Sequence, residues 1–352
     1  MRKYLFSGIL FLAGIALFLL ALGKSEIFKV VESLRKFWCL NLLWIFLLVF
    51  MSNVVGGFRW YVILKTKFQK ISFWKTLWAK FVGFAFSYIT PVVFMGGEPA
   101  RYLVLKEEEK KRVGDDSEFI IVSIIVDKLI FLIASTTMFF VGLFFLIYYL
   151  RAGWLWILFS CLAACFAFFI LPFFLIKLKK NLKKNNKNIV EWITEKLYLK
   201  KIKYFRQKDN SLKNIEEETA KFFSQKRKFF KILSLSFLEL AFTLFAFWVI
   251  VKTIENCFIE GGKVLAIGAL LQLSYIFPAP AALGSLEVSQ TYGFPVVGLL
   301  SSHGLAFTLI LRGVNIIIVI FGMILFLWFE LRLWKNRILE FLYRLIYGKK
   351  DQ

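Results

Sequence analysis

Ser87-Tyr88-Ile89-Thr90-Pro91 opens a stretch that recurs later in the chain as Ser274-Tyr275-Ile276-Phe277-Pro278. The first copy leads to Gly96-Gly97-Glu98, and the second leads through Pro280 to Gly284-Ser285-Leu286-Glu287. Proline removes a backbone donor and glycine loosens the backbone, so each stretch predicts a broken helix. In a bilayer, broken backbone is tolerated only where it is buried in protein or lines a wet cavity. Paired interruptions in the two halves of a membrane protein indicate a transporter-type site.

The composition places these breaks in a membrane protein, because 59% of the 352 residues are hydrophobic. Apolar runs long enough to cross a bilayer predict six full spans, over Tyr4–Gly23, Phe37–Gly57, Phe119–Leu150, Gly153–Ile176, Phe229–Val251 and Leu305–Glu330. Two further stretches, Phe73–Met95 and Val264–Leu300, hold the repeated motif and are interpreted as re-entrant pairs of half-helices. We therefore expect an all-α polytopic membrane protein with six full spans and two re-entrant broken-helix segments, in one domain over residues 1–352.

The distribution of the net charge of +23 predicts the orientation. With the N-terminus in the cytoplasm and Phe73–Met95 re-entrant, the rich basic segments all fall inside, as the positive-inside rule requires. The C-terminus is then cytoplasmic too, in the cell or inner membrane. The first motif would enter from the cytoplasm and the second from the opposite face, which is an inverted repeat.

A basic loop over residues 177–228 dominates the charge. We interpret it as short amphipathic helices that lie on the anionic inner leaflet; the alternative is a plain solvated linker. Because the charge is explained by membrane topology, we expect no nucleic-acid partner. The oligomeric state is not indicated by the sequence.

Several ionisable residues lie in or beside the apolar runs, where they are costly and so mark candidate sites. The candidate substrate-binding residues are Glu98, Arg101, Asp127, Lys128, Glu287 and Arg312, with Glu239 as a weaker candidate. The residues predicted to break the helices are Pro91, Gly96, Gly97, Pro278, Pro280 and Gly284. In each half a broken helix is followed by a carboxylate and then by a charged residue on the next helix.

These charges have two interpretations. In the functional one they line a polar cavity that accepts a charged headgroup, because arginine suits phosphate and helix N-termini offer N–H donors. Cations and anions could then pair across the two-fold axis, for example Glu98 or Asp127 with Arg312. In the structural interpretation, buried ion pairs only fix the packing of helices.

Other chemistry finds no support in the sequence. One histidine, His303, and four cysteines without neighbouring ligands predict no metal site. Neither a GxGxxG nor a Walker A motif is present, so we expect no nucleotide cofactor.

The stretch Gly96-Gly97-Glu98-Pro99-Ala100-Arg101-Tyr102 after Pro91 resembles a signature of the lysylphosphatidylglycerol synthase transmembrane region, also called the flippase-like domain family. Pro278 to Glu287 resembles the second signature, with Ala281 and Ala282 where glycines usually fall. A basic residue follows in the next helix of each half, and Lys128 stands where the family more often has arginine. The resemblance covers nearly the whole chain.

The resemblance implies an inner-membrane protein that moves or handles an anionic or glycosylated lipid, such as a phospholipid or a polyprenyl-linked glycolipid. Members that flip aminoacylated phosphatidylglycerol carry a separate aminoacyl-transferase domain. We expect that activity to be absent here, because the chain ends soon after its last span. The leading hypothesis is a non-enzymatic lipid flippase. The alternatives are a membrane glycosyltransferase with Glu98 or Glu287 as base, an accessory protein of lipid-linked sugar pathways, and a non-transporting scaffold.

Overall fold

The computed structural model describes residues 2–90, 96–108, 118–151, 225–275 and 280–347, with residues 219, 222, 223 and 277 between them. Side chains are described for those residues of these ranges that lie between 12 and 334, with the exception of Pro280. The described residues form ten α-helices and no strand. They are α1 Arg2–Lys24, α2 Ile27–Arg35, α3 Cys39–Leu64, α4 Phe73–Ile89, α5 Glu98–Glu108, α6 Glu118–Tyr149, α7 Lys226–Glu255, α8 Gly261–Ser274, α9 Ser285–Gly293 and α10 Ser301–Tyr347.

The helices end where local chemistry stops them. Helix α4 ends before Thr90, which is extended (φ −78°, ψ 144°) because the proline that follows it disfavours the helical conformation. Helix α7 ends at Asn256 in the left-handed conformation, a common C-terminal cap. Helix α9 begins after Gly284, whose backbone N–H donates to the Glu287 carboxylate over 2.8 Å.

The helix contacts form two equivalent sets. Helices α3 to α6 make one half and α7 to α10 the other. Helix α3 packs on α7, while α6 packs on α8 just as α4 packs on α10. Within the halves, α4 contacts α5 as α8 contacts α9, and α5 contacts α6 as α9 contacts α10. Exchanging the halves maps the α3–α7 contact onto itself and each of the other contacts onto its counterpart, which is the pattern of a pseudo-two-fold repeat.

The two broken segments enter this bundle from opposite ends. Lys75, near the start of α4, lies 3.4 Å from Glu108 at the end of α5, so this segment returns to the end where α3 finishes. Lys263, near the start of α8, lies beside Gly298 beyond α9, so that segment returns to its own starting end. Lys36, just before α3, donates to the Ile254 carbonyl near the end of α7 over 2.7 Å. The ends are thus opposite ends of α3, which confirms the prediction of an inverted repeat.

The predicted spans are largely recovered. Four helices are long and apolar enough to cross a membrane, Cys39–Leu64, Glu118–Tyr149, Lys226–Glu255 and Ser301–Trp334. Helix α1 coincides with the first predicted span. The predicted span Gly153–Ile176, the break residues Pro91 and Pro278, and the basic loop 177–228 apart from residues 219, 222, 223 and 225–228 lie outside the described residues.

The structure departs from the predicted spans in two places. The second predicted span ends at Gly57, but α3 continues to Leu64, and Arg59 lies buried within it. The helix continues because buried carboxylates from other helices pair with Arg59. Residues 24–36, which fall between the first two predicted spans, include α2, which packs on α10.

Candidate functional site

A polar cavity of about 310 Å³ lies between the two halves. Its lining includes Tyr88 from the first motif and Tyr275 from the second, so the repeated stretches meet at one place. Lys80, Ser87 and Asn315 also contribute polar groups. We call this space the polar cavity.

Asp127 is the centre of a buried charge network beside the polar cavity. Its carboxylate accepts from Arg59 Nε over 2.7 Å and from Arg101 Nη2 over 2.9 Å. Lys80 Nζ lies 3.9 Å from the same carboxylate. Arg59 also donates to Glu239, so the network joins α3, α4, α5, α6 and α7. Removing several charges from water is costly, and only these mutual contacts offset that cost.

The Arg101 side chain lies between the Trp60 ring and the backbone of α4. Its guanidinium carbon lies 4.0 Å from the centre of the Trp60 ring. Its side chain crosses α4 at Gly83, where an added Cβ would come within 2.3 Å of the arginine Cγ. Its Nε is buried without a hydrogen-bond partner. A buried, unsatisfied donor in an otherwise paired network is costly and is a place where a ligand acceptor fits.

The second half has a smaller ion pair. Glu287, which is fully buried, pairs with Arg312 through both of its oxygens, one of them 3.0 Å from Arg312 Nη2. Arg312 also donates to the carbonyls of Ala281 and Ala282 over 3.0 and 3.2 Å. Those two alanines have φ of 51° and 50°, which is strained for residues with a Cβ. The arginine therefore holds the second break in shape.

The first half repeats this arrangement with other atoms. Lys128 Nζ lies 2.7 Å from Glu98, as Arg312 pairs with Glu287, so each short helix is tied to the long helix that follows it. The pairing of Glu98 or Asp127 with Arg312 does not occur, because both carboxylates find their cations within the first half: Glu98 pairs with Lys128, and Asp127 with Arg59 and Arg101. The two breaks are also closed alike. The Gly97 N–H donates to Ser87 Oγ over 3.0 Å, and Ser285 Oγ donates to the Ser274 carbonyl over 2.9 Å.

The structure brings most of the predicted site residues together. Glu98, Arg101, Asp127 and Lys128 line the polar cavity, while Glu287 and Arg312 lie behind Ala281 and Ala282 in its wall. Gly96 and Gly97 form the first break, where an added Cβ would come within 1.7 and 1.8 Å of other atoms. Gly284 forms the second with φ 81°.

Sequence reasoning missed two cations of the site, Arg59 and Lys80. The available signal was their position, since each interrupts an otherwise apolar stretch of a helix, where a charge needs a partner.

A second space adjoins the polar cavity. This apolar groove, of about 1040 Å³, runs between α5, α6 and α8. Its lining is mainly aliphatic and aromatic and reaches the surface at Ile125, Leu132 and Leu273. Six residues border both spaces and form what we call the window, namely Glu98, Lys128, Phe131, Ser135, Gln272 and Tyr275.

In the part of the chain that the structure describes, His, Cys, Asp and Glu side chains do not gather into a group that could hold a metal ion.

A family model described as "Lysylphosphatidylglycerol synthase TM region" matches residues 5–322, which include both motifs and both ion-paired halves. No curated protein and no solved structure shows significant similarity to the chain.

Proposed function

We propose, from the premise that this chain belongs to the lysylphosphatidylglycerol synthase transmembrane-region family, that it carries the headgroup of an anionic lipid across the membrane through the polar cavity. The family membership and the apolar helices support a membrane protein that handles lipid.

The observation that carries the proposal is the charge of the polar cavity. Among the described lining residues, cations outnumber anions by one, with Arg59, Lys80, Arg101 and Lys128 against Glu98, Asp127 and Glu239. Arg59 and Arg101 both form short ion pairs with the Asp127 carboxylate. Lys80 Nζ lies 3.9 Å from the same carboxylate and is the cation with the weakest pairing. A single negative charge, such as one phosphodiester, would balance this surplus.

The unsatisfied atoms add a second preference. Arg101 Nε is a buried donor without a partner, and Glu98 Oε2 is a buried acceptor without one. A headgroup with a phosphate next to a hydroxyl or ammonium group would satisfy both. The cavity volume of about 310 Å³ suits a small headgroup of this kind.

The two-fold arrangement supports movement across the membrane over a fixed binding site. One broken segment enters from each end and both border the polar cavity, so a change at either break opens the cavity toward one side. A one-sided enzyme needs no such pair.

Phosphatidylglycerol vesicles containing the purified protein test the proposal. The glycerol headgroup is oxidised by periodate, which does not cross the bilayer, so the fraction that becomes accessible from outside measures translocation. We expect Lys80→Met to slow translocation about tenfold or more, because a charge-assisted hydrogen bond is worth at least about 1.5 kcal/mol. The matched control Lys70→Met, in the exposed loop between α3 and α4, should match the parent.

Two outcomes contradict the proposal. Translocation by Lys80→Met at the parental rate would remove the headgroup site from the cavity. A parent protein no faster than empty vesicles would favour the glycosyltransferase or accessory alternative, which is then tested with polyprenyl-phosphate sugars.

A further inference from the structure

The window is where the polar cavity and the apolar groove meet. The polar cavity ends at the window, and the apolar groove begins there on the outer side of α6 and α8. A molecule that occupies both must have a charged end and a hydrocarbon end. Membrane lipids have this form, and the groove reaches the surface at exposed apolar residues.

The groove extends to both sides of the window. Its lining on α6 runs from Ile121 to Phe139, and Lys128 of the window lies between them. Measured from Phe131, in the middle of the part of the window that α6 contributes, the groove reaches about 15 Å toward one end and about 12 Å toward the other at 1.5 Å per residue. Half of a hydrocarbon core is about 15 Å, so each arm approaches the depth of one leaflet.

Two contacts close the window between helices. Ser135 of α6 donates to the Gln272 side chain of α8 over 3.0 Å. Glu98 of α5 pairs with Lys128 of α6 over 2.7 Å. Both are side-chain contacts without a backbone link, and both partners border the groove and the cavity. Breaking these two contacts does not detach α6 from α8, because the two helices also pack on each other.

We infer that the apolar groove holds an acyl chain of an anionic phospholipid while the headgroup sits in the polar cavity, with the Ser135–Gln272 and Glu98–Lys128 contacts as the lateral gate between them. This inference rests on the proposed function. Three observations select the occupant: the surplus cation selects the anionic end, the apolar lining selects the tail, and the leaflet-deep arms match a chain that fills one leaflet.

The arrangement has a mechanical consequence. The hydrocarbon tail stays in an apolar surface throughout, and only the headgroup enters the protein. The costly step, placing a charge in the low-dielectric interior, is then confined to a cavity already built of paired charges.

Photochemical labelling tests the tail site without requiring transport. The probe is phosphatidylglycerol with a diazirine at the end of one acyl chain, in phosphatidylcholine vesicles. We expect labels on α6 and α8 at the groove in preference to the exposed face of α10. Leu132→Trp fills the groove and should reduce this labelling about fivefold. Leu327→Trp on α10 is the matched control, because the two leucines are 55% and 56% exposed and only Leu132 lines the groove.

The outcomes separate this inference from the proposed function. Equal labelling of α6 and α10, or undiminished labelling of Leu132→Trp, would overturn the tail site. Groove labelling together with no translocation by the parent would keep the tail site and overturn the proposed transport. Excess phosphatidylglycerol should displace the probe, and stronger displacement by undecaprenyl phosphate would overturn the choice of a phospholipid.

Discussion

Arg59 and Asp127 form an ion pair of 2.7 Å in the interior of the bundle, with each side chain only 1% exposed. The pair joins α3 to α6, and the second contact of Arg59, with Glu239, joins α3 to α7 across the pseudo-two-fold interface. The two halves of the protein are thus held together by charge at the same level where the polar cavity lies.

Arg59→Met should destabilise the protein by about 3–5 kcal/mol, because it leaves Glu239 as a buried carboxylate without its cation. Thermal unfolding in detergent measures the effect. Arg59→Met/Glu239→Gln should recover much of the loss, since the lone charge is removed. Lys29→Met breaks an exposed pair with Glu26 and should change the free energy of unfolding by less than about 1 kcal/mol. An Arg59→Met protein as stable as the parent would show that the pair does not hold the halves together.

Gly83→Ala should displace Arg101, because an added Cβ would come within 2.3 Å of the arginine side chain. We expect a loss of about 1–3 kcal/mol from overpacking and slower lipid translocation. The control is Gly313→Ala in α10, where a Cβ meets no atom within 4 Å. That change should be neutral or stabilise the helix by up to about 1 kcal/mol. Equal behaviour of the two variants in unfolding and translocation would contradict the close packing at Gly83.

Ala281→Gly should stabilise the second break. The alanine is held at φ 51°, a conformation that costs an L-residue about 1–2 kcal/mol and costs glycine little. Part of the gain is lost because glycine makes the unfolded chain more flexible, so we expect a net gain of about 1 kcal/mol or less. Ala241→Gly, at an exposed position within α7, should instead cost about 1 kcal/mol. A loss at both positions would argue against strain at Ala281.

Single and double variants of the Glu287–Arg312 pair distinguish a functional role of the pair from a purely structural one. Glu287→Gln and Arg312→Gln should each lose stability, because each leaves an uncompensated charge. The double variant should regain stability yet remain inactive in the periodate assay, since Arg312 no longer shapes the cavity wall through Ala281. A double variant that translocates phosphatidylglycerol like the parent would make this pair purely structural.

Accessibility of cysteines tests the orientation. Cys257, exposed beyond the end of α7, lies at the end of the bundle predicted to be outside. A cysteine at Lys70, between α3 and α4, lies at the opposite end, predicted to be cytoplasmic by the positive-inside rule. In chains with the other native cysteines changed to serine, an impermeant thiol reagent should label them from opposite sides. Labelling from the same side would remove the inverted repeat.

The sequence by itself determined the class of the protein, the two breaks and the repeat. Proline, glycine and long apolar runs act locally, so Thr90 before Pro91 and Gly284 before Glu287 could be placed without knowing their neighbours. It also determined that Glu98, Arg101, Asp127, Glu287 and Arg312 need partners, because a charge in an apolar stretch is costly wherever the stretch packs.

Only the tertiary structure decided who those partners are. Asp127 pairs with Arg59 from α3 rather than with Arg312, because the crossing of helices sets the distances and hydropathy does not encode them. The continuation of α3 past Gly57 has the same cause, since Arg59 stays in the interior only through carboxylates brought by α6 and α7. The window too exists only where α5, α6 and α8 meet, because a groove is made by the packing of several helices and by none of them alone.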